Sequence, residues 1–208
     1  MNLLAHFFLS EVAVPASLPN SNGVLIGNFI ADFVRGRHLE QYSPSVIQGI
    51  YLHRKIDDFT DHHALPKQSA ERLKSQFGRY APVVVDVLYD HLLAVEWQRF
   101  SEQPLESFAA RVYAVLQQER HQLPERIQTF IQTFLPHMVQ HNWLVNYGTQ
   151  YGIERSLESL SRRAQYGGGF ERAVESLNTH YTEYSREFIA FFPELIHVSQ
   201  QFFHRPLD

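Results

Sequence analysis

Apolar residues recur along the chain at helical spacing, and Pro, Gly, Ser and Asn interrupt them often enough to cut the pattern into separate helices. Leu3 to Leu9 forms a short apolar opening helix, and Pro15 to Asn22, rich in Pro, Ser and Asn, reads as a loop. A second helix is predicted from about Gly23 to Arg35, stopping at Gly36. Ser43 followed by Pro44 resembles a helix cap with proline in the first turn, and it opens a long helix through about His62. A shorter amphipathic helix follows Pro66 and ends near Gly78. Val83, Val84 and Val85 alone suit a strand, but the length of Val83 to Phe100 and the Leu88, Leu92, Val95 spacing favour a helix. Leu105 to Arg120, Glu125 to Phe134, Gly152 to Ala164 and Phe170 to Phe203 continue the helical pattern, with Gly167, Gly168 and Gly169 as a hinge between the last two. The expectation is an all-α fold, a single compact helical domain over residues 1–208.

Several polar residues sit where this pattern predicts burial. His53 and Asp57 are four apart on the third helix and share a face at the border of the Leu52, Ile56, Phe59 stripe, with Asp61 one turn on. The helix from Val83 is apolar on nearly every side, yet it carries Asp86, Asp90 and His91. A buried carboxylate without a partner costs several kcal/mol, so Asp90 must meet a metal, a cation or several donors. His6 inside Leu3 to Leu9, and Asp32 between Ala31 and Phe33, repeat the anomaly. Turned toward one cavity, these groups offer imidazole and carboxylate ligands suited to Mn, Fe, Zn or Mg. Taken singly, a histidine such as His6 is more often a hydrogen-bonded core residue. The aromatic-rich tail, with Tyr181, Tyr184, Phe188, Phe191, Phe192, Phe202 and Phe203, reads as core packing.

Composition narrows the chemistry. The 208 residues contain no cysteine, which excludes disulfides, thiolate nucleophiles and thiolate metal sites. A formal net charge of −4 argues against nucleic acid as the main partner. The apolar start lacks the basic residues of a secretory signal, since the first Lys or Arg is Arg35, and no apolar run has the length of a membrane span. A cytoplasmic location with no membrane partner is the expectation. Asp is confined to positions 32, 57, 58, 61, 86 and 90 apart from the terminal Asp208, which places the candidate chemistry before residue 100. There is no Gly-x-Ser-x-Gly elbow, and the glycine triplet lacks phosphate-loop spacing.

At these residues the chain resembles the acyl carrier protein phosphodiesterase family. The resemblance runs from Met1-Asn2-Leu3-Leu4-Ala5-His6 through Gly27-Asn28-Phe29-Ile30-Ala31-Asp32-Phe33-Val34-Arg35-Gly36, Gly49-Ile50-Tyr51-Leu52-His53-Arg54-Lys55-Ile56-Asp57, Thr60-Asp61 and Asp90-His91-Leu92-Leu93 with Trp97. It continues in Asn142-Trp143-Leu144-Val145-Asn146-Tyr147, Gly152-Ile153 and Ser161-Arg162-Arg163, so it spans most of the chain. It implies an all-helical fold distantly related to the HD phosphohydrolases, a divalent metal, commonly Mn, and hydrolysis of the phosphodiester that joins 4′-phosphopantetheine to a serine of holo-acyl carrier protein. The HD pair itself is absent, because Asp90-His91 has the reverse order.

With that chemistry in view, Asp32, His53, Asp57 and Asp90 are the expected metal ligands. His6 and His91 are expected as catalytic residues, whether ligands, proton donors or orienting groups. Arg54 and Arg35 are candidates to contact the phosphate or the acidic surface of the carrier protein. Three other readings compete: a metal-dependent nucleotide phosphohydrolase of HD type, a di-iron helical oxidoreductase, which lacks its Glu-x-x-His pairs among the first-half motifs, and a helical interaction module.

Overall fold

The computed structural model describes residues 3–15, 21–34, 36, 39–164 and 168–204, and among them every regular element is helical. The helices are α1 (Leu3–Val12), α2 (Ser21–Ile30), α3 (Pro44–His62), α4 (Ala64–Phe77), α5 (Ala81–Val95), α6 (Leu105–Glu119), α7 (Glu125–Gln140), α8 (Trp143–Asn146), α9 (Gln150–Arg163), α10 (Ala173–Thr179) and α11 (Tyr181–His204). The all-α expectation holds. None of the described helices is long and apolar enough to cross a membrane.

Boundaries differ from the sequence pattern where side chains supply local hydrogen bonds. Helix α2 ends at Ile30 and tightens into a 3₁₀ turn, Ala31–Phe33, instead of running on to Arg35; Gly36 follows with φ +74°. Helix α4 starts two residues before Pro66, because the His63 imidazole accepts the Leu65 N–H at 3.2 Å and caps the first turn, where proline's missing N–H costs nothing. Helix α7 continues past Phe134 through Pro136, held by the burial of Leu135 and Met138. The segment expected as one helix from Phe170 to Phe203 breaks at His180 into α10 and α11, preceded by a 3₁₀ turn, Phe170–Arg172. Of the glycine hinge, Gly167 lies outside the described residues, and Gly169 is left-handed at φ +70°.

Helices α1, α2 and α5 form the centre: most residues of each are buried, as their apolar composition requires. Helix α11 closes over them through aromatic contacts. Phe192 packs on Phe8 and Phe100, and Phe188 and Phe191 pack on Tyr89, so the middle of the tail serves as core, whereas Tyr181 is exposed and Phe202 and Phe203 are partly buried. One buried charge fixes its register. Glu187 accepts a bidentate bond from Arg72 and further bonds from Ser69 Oγ (2.6 Å) and Gln68 Nε2 (2.7 Å), which ties α11 to α4.

The crossing of α2 and α3 is a backbone contact. A Cβ on Gly27 would lie 2.1 Å from the Val46 carbonyl oxygen, and one on Gly49 would lie 2.1 Å from the Val24 carbonyl oxygen and 2.7 Å from the Asn28 nitrogen. Only glycine at both positions allows the axes so close, because a methyl on either helix overlaps main chain, which cannot rotate away. Gly49→Ala is therefore expected to destabilise the chain by about 3 kcal/mol, read in thermal unfolding as a fall of roughly 6–12 °C in Tm. An unchanged Tm would mean that the two helices do not touch there.

Candidate functional site

Immediately beyond that crossing, three helices bring histidine and aspartate side chains to one point. Helix α1 supplies His6, α3 supplies His53 and Asp57, and the 3₁₀ turn after α2 supplies Asp32. The four-residue spacing sets His53 Nε2 3.1 Å from Asp57 Oδ2 on the same face of α3. His6 Nε2 lies 3.2 Å from Asp57 Oδ1, so one carboxylate spans both rings. Asp32 Oδ1 approaches His53 Nε2 at 3.3 Å. The imidazoles stack, with centroids 4.2 Å apart and planes 24° apart. Both histidines are buried, whereas the Asp32 and Asp57 side chains are 41% and 49% exposed, so imidazoles form the floor of the site and carboxylates its rim.

Behind the rings stands Asn28, fully buried on α2. Its Oδ1 accepts from His6 Nδ1 at 2.7 Å and from His53 Nδ1 at 3.0 Å. Its Nδ2 donates to Ser10 Oγ (2.7 Å) and to the His6 carbonyl oxygen (3.1 Å), and Ser10 Oγ donates to the same carbonyl at 2.8 Å. The sequence reading singled out titratable residues and passed over Asn28 as a site residue. The signal was present, since a carboxamide flanked by Val24, Leu25, Ile26, Phe29 and Ile30 raises the same burial cost as Asp32 does.

The electrostatics of the group follow from its burial and its carboxylates. Burial pushes His6 below the usual imidazole range, outweighing the support of Asp57. Burial acts the same way on His53, but the paired carboxylates Asp32 and Asp57 overcome it and hold His53 up at about 9. Burial would raise Asp57, and the two imidazoles more than reverse this, keeping it well below the ordinary carboxylate range. Hydrogen bonding to His53 likewise lowers Asp32.

Asp90, His91 and Arg54 bond to groups outside this cluster. Asp90, fully buried on α5, accepts the N–H groups of Leu4 and Ala5 at 3.0 Å each, one on each carboxylate oxygen, at the first turn of α1. Its burial cost is met by two backbone donors, and burial still pushes it up to about 7 against those two bonds. His91 donates from Nδ1 to the Tyr147 carbonyl oxygen at 2.7 Å, joining α5 to the turn between α8 and α9. Arg54 donates to the Gly36 carbonyl oxygen at 3.0 Å and lies 5.6 Å above the Tyr51 ring. Asp61 is exposed, and Arg35 lies outside the described residues.

The donor set fits a divalent cation. His6, His53 and Asp57 each offer a ligand atom, all within 4.8 Å of one another. Neighbouring ligands at ~2.1 Å from a small divalent ion stand about 3 Å apart, which is the spacing of the facing Nε2 and carboxylate atoms here. Two imidazoles with carboxylates and no thiolate suit Mn, Fe or Zn.

Comparison with known proteins converges on one family. The family model described as acyl carrier protein phosphodiesterase matches residues 1–195. A protein of Klebsiella pneumoniae (strain 342) bearing that name is 33% identical over 96% of this chain and 98% of its own length. Proteins of the same name from Pectobacterium atrosepticum (29% identical, 96% of this chain, 98% of their own) and Salmonella dublin (30%, 94% and 96%) are similarly related. No solved structure matches the chain.

The opposite displacements of the two histidines give the metal-free protein a distinctive titration. His53, raised, contributes stability that is complete below about pH 6.5 and is lost as the pH rises through 9. Asp57, lowered, contributes stability above about pH 4 that is lost only in acid. NMR of the ring protons is expected to show His53 titrating near 9 and His6 below 6.5. His53→Gln should remove part of the fall in Tm on the alkaline side. Two rings that both titrate near 6.5 would contradict the carboxylate pairing.

Proposed function

The chain belongs to the acyl carrier protein phosphodiesterase family, and we propose that it is a metal-dependent phosphoric diester hydrolase that frees 4′-phosphopantetheine from the serine of holo-acyl carrier protein. The observation that carries this reading is the convergence of His6 Nε2, His53 Nε2 and the Asp57 carboxylate at one spot, with Asp32 beside them. A phosphodiester is anionic and a poor electrophile, so its hydrolysis needs charge neutralisation and an activated water. A divalent cation, of which Mn(II) is the proposed ion, supplies both when bound.

His6, His53 and Asp57 are the residues that hold it, and Asp32 joins from the rim. Water adds to phosphorus, the bond from phosphorus to the serine oxygen breaks, and the proton lost by the water passes to that oxygen. Asp32, half exposed on the rim, is the group proposed to take the proton of this water. Arg54, one residue beyond His53, is proposed to meet the phosphate or the acidic carrier surface, together with Arg35. Asp90 acts through α1: by fixing the Leu4 and Ala5 N–H groups it sets the position of His6. His91 acts through the segment at Tyr147. We place the activity in one domain over residues 1–208, in the cytoplasm, with no nucleic acid or membrane as partner.

Intact-protein mass spectrometry of holo-acyl carrier protein, incubated with this protein and Mn(II), is expected to show loss of the phosphopantetheine mass, and chelator should prevent it. Asp57→Asn should slow that loss by at least the ~100-fold that even an outer-shell change can reach, with helical content unchanged. Intact carrier protein alongside rapid nucleotide hydrolysis would overturn the reading. Calorimetry in buffers of different ionisation enthalpy should also detect about one proton released per cation bound at pH 7, because His53 must lose its proton to become a ligand. Zero release would mean that His53 does not bind the ion.

A further inference from the structure

We propose that Asn28 is the positioning residue of the site: its single carbonyl oxygen fixes the ring orientation of His6 and His53 together, so that both Nε2 atoms face the Asp57 carboxylate. The proposal rests on the reading that this cluster holds a cation.

A neutral imidazole carries one proton, on Nδ1 or on Nε2, and only the unprotonated nitrogen can bind a metal. A carbonyl oxygen has no proton to give, so each Nδ1 within hydrogen-bond distance of Asn28 Oδ1 must be the donor. The amide cannot be turned end for end. Its oxygen would then meet the His6 carbonyl oxygen, which Ser10 already bonds. Asn28 thus has its donors spent on α1 and its acceptor spent on one ring from α1 and one from α3. The Gly27–Gly49 crossing makes this reach feasible, since Asn28 follows Gly27 and His53 stands one turn beyond Gly49. With a proton of each ring held on Nδ1, a cation that displaces the proton shared between Nε2 and the carboxylates meets two imidazole nitrogens and the oxygens of Asp57 and Asp32. Outer-shell partners of metal-bound histidine work in this way, but ordinarily one partner serves one ring.

The test uses two substitutions and two readouts. Asn28→Leu keeps the volume and removes the acceptor. Ser10→Ala leaves the acceptor in place and removes only a bond behind it. Co(II) affinity, followed by its visible absorption, should fall about 10–100-fold in Asn28→Leu and stay within a few-fold of wild type in Ser10→Ala. In wild-type protein labelled with ¹⁵N-histidine and loaded with Zn(II), long-range ¹H–¹⁵N spectra should show His6 and His53 protonated on Nδ1. Zinc-loaded rings protonated on Nε2, or equal loss of affinity in both variants at unchanged helical content, would overturn the proposal. A wild-type protein with no affinity for Co(II) or Zn(II) would sink the cation reading, and the proposal with it.

Discussion

One hydrogen-bond acceptor, the Asn28 carbonyl oxygen, joins three helices behind the His6, His53 and Asp57 cluster. It can do so because α2 and α3 meet backbone to backbone at Gly27 and Gly49, which brings Asn28 within 3.0 Å of His53 Nδ1. The third helix is positioned separately, by Asp90, whose carboxylate receives the first N–H groups of α1 and so sets the depth at which His6 enters. The geometry of the imidazoles therefore depends on groups that never reach solvent. A change at Gly49 or Asp90 acts on the site through helix position, and a change at Asn28 acts on it through ring orientation.

The arrangement divides the work by burial. The rings lie on the protected side, where hydrogen bonds hold them and water does not compete. The Asp32 and Asp57 side chains are half exposed and stand between the rings and solvent. An anionic phosphodiester approaching such a rim meets repulsion unless positive charge lies within it, which is why a cation and a nearby guanidinium are the natural complements. His53, held protonated near neutrality by its two carboxylates, shows how strongly this pocket favours a positive charge even in the metal-free protein. Membership of a phosphodiesterase family accords with that electrostatic character.

Much of this was legible in the sequence, for identifiable reasons. Helical periodicity marked nearly every long helix, and the polar residues stranded among apolar ones, His6, Asp32, His53 and Asp57, are those the fold gathers. Burial cost alone cannot say what meets it, however. Asp90 satisfies the same criterion through the backbone of α1, eighty-five and eighty-six positions away in sequence, and His91 does so through the Tyr147 carbonyl oxygen. Asn28 escaped notice because a carboxamide carries no charge, although its desolvation demands partners just as firmly. The split at His180 and the run of α7 through Pro136 depend on tertiary packing, which a local pattern does not contain.

The measurement that tests the central claim most directly is an anomalous difference map from crystals of this protein grown with Mn(II). The account predicts a single peak bonded to His6 Nε2, His53 Nε2 and the Asp57 carboxylate, with Asn28 Oδ1 still bridging the two Nδ1 atoms behind it. A manganese ion bound at Asp90 and His91, or an empty His6, His53, Asp57 cluster in a crystal of active protein, would contradict it.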